Sequence, residues 1–159
     1  DAPMVIDADG LNLLGLDRQP LINRKSTTII TPHPGEMARL TGSTAAGVQS
    51  DRVKAASEYA RETGAVVALK GAATIIAAPD GESYLIPTGN HGLASGGAGD
   101  VLAGMIGGLL AQGAHPVNAA ICGAYLHGKA ADEYARHFDP RSLIASDLLD
   151  VLPETLALF

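Results

Sequence analysis

The chain has 159 residues and a formal net charge of −6, with 47 % hydrophobic and 18 % charged residues. That is one domain with a real core, and too apolar for a disordered tail. No run of Lys or Arg suggests a nucleic-acid partner, no apolar stretch reaches the roughly 18 residues that cross a bilayer, and no secretory leader is visible. A cytoplasmic protein is therefore expected, with neither membrane nor nucleic acid as partner.

Trp is absent and there are 19 glycines. The core must come from Ala, Val, Ile and Leu on closely spaced backbones, which suits α/β layers. The single cysteine, Cys122, forbids an intrachain disulfide. It follows Ala119-Ala120-Ile121, so a buried position is expected.

Met4-Val5-Ile6 reads as a buried parallel strand feeding Asp7-Ala8-Asp9-Gly10. A short helical turn over 11–14 ends near Gly15. Thr28–Thr31 is a second strand, stopped by the stiff loop Pro32-His33-Pro34-Gly35. A short helix follows from about Glu36 to Leu40. The clearest amphipathic helix is Asp51–Thr63, with Ser50 as its cap and Gly64 as its stop. Ala65–Leu69 and Thr74–Ala78 are strands. Pro79–Glu82 turns the chain, and Ser83–Ile86 returns antiparallel.

Between Thr88 and Gly99 lies the densest glycine cluster. A helix follows from Asp100, with apolar side chains around the whole cylinder and Gly104, Gly107 and Gly108 among them. Such a helix is expected to be buried, with a neighbour close to its glycines. Gly113 ends it, Pro116 opens a helix to about Arg136, and Ser146 caps a last helix over 147–156. The chain opens on a strand that reads as buried, so upstream elements of a larger sheet are expected.

Gly96-Gly97-Ala98-Gly99-Asp100 carries the chemistry. Small residues opening a helix aim free N–H groups and the positive helix end at one point, an anion hole. It is neither a Walker A loop nor a dinucleotide fingerprint, since both spacings are missed. Asp100 is open to two readings. It is an ordinary helix cap, or a general base that takes a proton from a substrate hydroxyl while the amides hold a phosphoryl group.

GNHGLASGGAGDVLAGMIGGLLAQG resembles the phosphate-binding and catalytic segment of ribokinase-like enzymes. With VIDADGLNLL, TPHPGEMARL and ALKGAATII in this order, the chain resembles the ADP/ATP-dependent (S)-NAD(P)H-hydrate dehydratases. The resemblance implies a three-layer α/β/α fold with a mostly parallel sheet and a β-hairpin. It implies ADP or ATP with Mg²⁺ as cofactors, and NAD(P)H-hydrate as substrate. The ring hydroxyl is phosphorylated and phosphate then leaves, which regenerates NAD(P)H.

By the same resemblance, Asp100 is the catalytic base, and His33 and Asp100 meet the substrate. Lys70, Gly71, Ala72, Ala73, Thr74, Asn90, Gly97, Ala98 and Gly99 hold the nucleotide. Asp7 and Asp9 face the site, although Asp-x-Asp-Gly is also a common turn. No residue is assigned as a metal ligand. The family carries an upstream strand and a Gly-Pro-Gly-rich loop that this sequence lacks. Residues 1–159 are thus expected to be the C-terminal portion of one such domain, and self-association into a homo-oligomer is expected. The rival readings are a vitamin-precursor kinase of the same fold, against which His33 in HPGE speaks, and a nucleotide-binding fragment without turnover.

Overall fold

The computed structural model describes residues 2–159. Five strands form one sheet in chain order: β1 (Met4–Ile6), β2 (Thr28–Ile30), β3 (Val66–Leu69), β4 (Thr74–Ala77) and β5 (Ser83–Ile86). β1, β2 and β3 run parallel, with Val5 opposite Ile29 and Ile29 opposite Val66. β4 is antiparallel to β3 and to β5, with Ala68 opposite Ile76 and Ile76 opposite Tyr84. The expected hairpin is present, and β3 joins its antiparallel end.

Helices cover both faces of the central strands β2, β3 and β4, whereas β5 is largely exposed and β1, expected to be buried, is an edge strand with Met4 exposed and Val5 and Ile6 half-buried. Alternation along the strands divides the core. Ile30, Val67 and Leu69 face a layer that includes Met37, Leu40, Ala56 and Tyr59. Ile29, Val66 and Ala68 face the other layer, with Leu102, Ile106 and Ala120. The first layer comprises α1 (Asp9–Leu14), α2 (Gln19–Ile22), α3 (Pro34–Thr41), α4 (Ala45–Ser50) and α5 (Arg52–Thr63). The second comprises α6 (Ala98–Ala111) and α7 (Pro116–Tyr134), against which α8 (Ala145–Leu156) packs.

Several expectations need correction. α2 and α4 were not expected; both are short and weakly patterned. α3 starts at Pro34, because the His33 side chain is its cap. α5 is capped by Asp51, whose carboxylate accepts the Lys54 N–H at 3.0 Å, and not by Ser50; Gly64 ends it with φ 73° as expected. α8 starts at Ala145, and Asp147 accepts the Ile144 N–H at 2.9 Å. α7 ends at Tyr134, short of Arg136.

Two corrections concern depth. α6 is not buried all round: of its residues only Ala98, Leu102 and Ile106 are buried, while Gly104 and Gly108 are exposed. Cys122 is exposed as well, because it sits on the outward side of α7 while Ala119, Ala120 and Gly123 turn inward. A run of four apolar letters does not say which side of a helix each occupies.

Candidate active site

The carboxyl ends of β1, β2, β3 and β5 and the start of β4 lie at one edge of the sheet, where open α/β sheets place ligands. Each of these ends carries a segment singled out above. β1 delivers Asp7, β2 delivers His33, the β3–β4 loop runs from Lys70 to Ala73, and β5 leads to Asn90.

A cavity of about 410 Å³ opens there. Lys70, Gly71, Ala72, Ala73, Thr74, Asn90, Ala98 and Gly99 all line it, although they come from three separate stretches. Gly97 is not on its wall. It caps α6 with φ 84°, a left-handed conformation that a side chain resists, and it contributes no side-chain cap of its own. The helix thus begins two residues before Asp100. Its first turn leaves amides without intrahelical acceptors. The Ala98 N–H reaches Ser95 at a long 3.4 Å, and the Val101 N–H bonds the Gly97 carbonyl at 3.2 Å. Gly99 and Asp100 lie between them with their amides at the positive helix end.

Asp100 is not the cap. It occupies the first turn, exposed, and its carboxylate makes no hydrogen bond or ion pair among the described residues. It does not line the cavity, but it follows Gly99, which does. His33 lies outside the cavity. Its Nδ1 accepts the N–H groups of Gly35 (3.0 Å) and Glu36 (3.2 Å), and Glu36 returns the bond by accepting the His33 N–H at 2.7 Å. This reciprocal capping fixes α3 and leaves the imidazole half-exposed.

Beside the cavity lies an ionic cluster. Lys70 Nζ is 2.8 Å from Asp7 Oδ1 and 3.7 Å from Glu36 Oε2. A Cβ built at Gly99 would come within 3.4 Å of Lys70 Nζ and 3.6 Å of Asp7 Oδ2. The ammonium therefore lies under the turn that opens α6. Asp7 belongs to this cluster, whereas Asp9 is exposed and accepts a bond from Asn12 in α1.

Four residues escaped the sequence reading. Glu36 is one, and its signal was available, three residues after the cap position. Arg52 reaches the Lys70–Thr74 loop from α5. Asp132 accepts the Gly89 N–H (3.0 Å) and the Asn90 side-chain amide (3.2 Å), and that amide also donates to the Ala131 carbonyl at 2.9 Å. His127 donates from Nε2 to the Ala98 carbonyl at 2.9 Å. Burial pushes its pKa down to about 4, opposed by that bond and helped by the charge of Lys70. It is thus a neutral tether between α7 and the start of α6. None of the last three has a local signature, because their partners lie far along the chain.

The fold is that of a ribokinase-like α/β protein, with the cavity at the strand ends. The match to solved structures agrees. An ADP/ATP-dependent NAD(P)H-hydrate dehydratase from Bacillus subtilis, co-crystallised with ATP/Mg²⁺, superposes with a TM-score of 0.92 at 39 % identity, over 99 % of this chain and 55 % of that one. A hydroxyethylthiazole kinase protein from Pyrococcus horikoshii shares the fold, with a TM-score of 0.73 at 20 % identity, over 99 % of this chain and 63 % of that one. The family model for NAD(P)H-hydrate dehydratase matches residues 1–154. The chain belongs to the NAD(P)H-hydrate dehydratase family. It is 55 % identical over 154 residues to the bifunctional NAD(P)H-hydrate repair enzyme Nnr of Moorella thermoacetica, covering 97 % of this chain and 29 % of that protein. It is 51 % identical over 134 residues to the ADP-dependent (S)-NAD(P)H-hydrate dehydratase of Neisseria meningitidis, covering 83 % of this chain and 45 % of that protein. The chain thus spans less than half the length of these two relatives.

Proposed function

We propose that this chain takes part in nucleotide-dependent dehydration of (S)-NAD(P)H-hydrate to NAD(P)H, with ADP or ATP as phosphate donor. One observation carries the reading. The Lys70–Thr74 loop, Asn90 and the Ala98–Gly99 turn converge on one cavity, and Asp100, with no partner among the described residues, directly follows that turn.

Asp100 accepts the proton of the ring hydroxyl as that oxygen attacks the terminal phosphorus. The amides of the helix start and the Lys70 ammonium stand where negative charge gathers. The C–O bond then breaks, its electron pair and oxygen leaving as phosphate, a far better leaving group than hydroxide, while the neighbouring ring carbon loses a proton to water as the ring double bond forms. Mg²⁺ would shield the polyphosphate. His33, with its half-exposed ring beside Glu36, is the substrate-side residue of this reading.

We infer in addition that residues 1–159 form the C-terminal portion of one ribokinase-like dehydratase domain. The shares of the relatives that the chain covers support this. A cytoplasmic setting and self-association go with the reading. No helix is long and apolar enough to cross a membrane among the described residues, and Leu149, Leu156, Leu158 and Phe159 are exposed near the carboxyl end.

The test is Asp100→Asn, assayed by recovery of the reduced-nicotinamide chromophore and by release of phosphate. A loss of about 10²–10⁴ in rate is expected, with Mg·ADP affinity within a few-fold of wild type. Retention of more than about a tenth of the wild-type rate would remove Asp100 as the base. A phosphorylated product that never releases phosphate would point to a kinase instead.

A further inference from the structure

The loop from Lys70 to Ala73 has an unusual backbone. Gly71 has φ 151° and Ala73 has φ 59°. A left-handed alanine costs on the order of 1 kcal/mol or more and persists only where its surroundings enforce it. The enforcing group is Arg52, at the start of α5. Its Nη1 donates to the Ala72 carbonyl (2.7 Å), and its Nη2 donates to the carbonyls of Ala73 (2.9 Å) and Leu69 (3.1 Å). A Cβ built at Gly71 would come within 2.8 Å of the guanidinium carbon, so the glycine is what lets the fork in.

In a trans peptide the carbonyl and the following N–H point in opposite directions. With the Ala72 carbonyl turned onto Arg52, the Ala73 N–H must point away from it. Ala73 lines the cavity, and its amide has no acceptor among the described residues. The amides of Gly71 and Ala72 also lack acceptors there. Successive amides freed by an unusual backbone form a concavity suited to an anion. We propose that Arg52 is a positioning residue for the phosphate donor: its fork on the Leu69, Ala72 and Ala73 carbonyls fixes the loop so that the Ala73 amide, beside the free amides of Gly71 and Ala72, turns to a nucleotide polyphosphate in the cavity. This rests on the nucleotide-binding reading above. Only a planar guanidinium meets three carbonyls in this way. An ammonium carries the charge without the fork.

The experiment is calorimetric titration of the chain with Mg·ADP. Arg52→Ala should weaken binding at least about tenfold while the protein still melts cooperatively. Methylguanidinium at low millimolar concentration should restore most of the lost affinity, and methylammonium should not. Arg52→Lys should bind as poorly as Arg52→Ala. A merely structural role would move the melting temperature without this chemical discrimination. Wild-type affinity in Arg52→Ala, or equal rescue by both cations, overturns the proposal. Where Arg52→Ala does not melt cooperatively, Arg52→Lys takes its place, and wild-type affinity there overturns the proposal. A wild-type chain that takes up no Mg·ADP overturns the nucleotide reading itself, and this inference with it. Uptake that no Arg52 variant diminishes overturns this inference alone.

Discussion

α6 and α7 are neighbours on the same face of the sheet, and both are rich in glycine, yet the glycines of α6 beyond its first turn and those of α7 do opposite things. In α6, a Cβ at Gly104 or Gly108 would meet nothing within 4 Å, and one at Gly107 would only reach Val5 at 4.0 Å. In α7, a Cβ at Gly123 would come 2.6 Å from Ile106 Cγ1, and one at Gly128 would come 2.4–2.6 Å from the Thr88 hydroxyl and carbonyl. The close approach expected along α6 therefore exists, but the residues that permit it belong to α7. α7 is the helix that builds the site. Its Tyr125 carbonyl accepts the Thr88 hydroxyl, His127 holds Ala98, and Asp132 holds Gly89 and Asn90. A glycine count identifies a pair of close helices, but not which of the two needs the space.

The sharpest way to break this comparison is Gly128→Ala. The clash is with backbone, which cannot rotate away, so the Thr88–Asn90 loop must shift. A destabilisation of about 3 kcal/mol or more is expected, at the upper end of overpacking costs. Mg·ADP affinity should fall too, because Asn90 moves with the loop. Chemical denaturation with nucleotide titration reads both. A variant as stable as wild type would show that α7 does not touch the loop as described.

His127 sharpens the same contrast through pH. Its folded pKa is about 4, below the ordinary value of 6.5. A depressed pKa means that the unfolded chain takes up the proton first. The contribution is complete above pH 6.5 and is lost as pH falls toward 4. Between pH 7.5 and pH 5 the loss should be roughly 2 kcal/mol from this group alone. His127→Gln cannot titrate and keeps a donor for the Ala98 carbonyl. Its stability should fall less over that range, by about that difference. Parallel pH profiles for the two proteins would mean that the imidazole is not buried neutral between α6 and α7.

β1 and β3 were legible as unbroken apolar runs, β2 and β4 as apolar runs behind a leading Thr, β5 from the turn before it, and α5 from Val53, Ala56 and Ala60 at helical spacing, although Val53 is exposed and Tyr59 and Thr63 complete the buried face. The stretches that the resemblance assigns to the nucleotide were recognisable as motifs, and eight of their nine residues line one cavity. What stayed hidden has physical causes. The start of α6 carries no side-chain cap, so nothing in the letters separates Ala98 from Asp100. His33 rarely stands where Ser, Thr, Asp or Asn usually caps a helix. Arg52, His127 and Asp132 act on partners 17 to 43 residues away, which no local pattern reports. The depth of α6 was misjudged because apolar side chains all round a helix show what it could bury, not what covers it.

Gly104→Ala gives the smallest effect and the opposite sign. Gly104 lies inside α6, exposed, with room for a methyl group and no left-handed φ. Ala there loses less backbone entropy on folding than Gly and adds no clash. A gain of about 0.5–1 kcal/mol is expected, equivalent to a rise of about 1–4 °C in Tm at this chain length. Thermal melts at several protein concentrations make the test informative in both directions. A concentration-independent rise would establish that this side of α6 is open to solvent, and would complete the contrast with Gly128. A fall in Tm that deepens with concentration would mean that another surface covers Gly104 in solution. The α6 glycines would then be spacers as well, for a neighbour outside this chain, and the difference between the two helices would reduce to which partner each one accommodates.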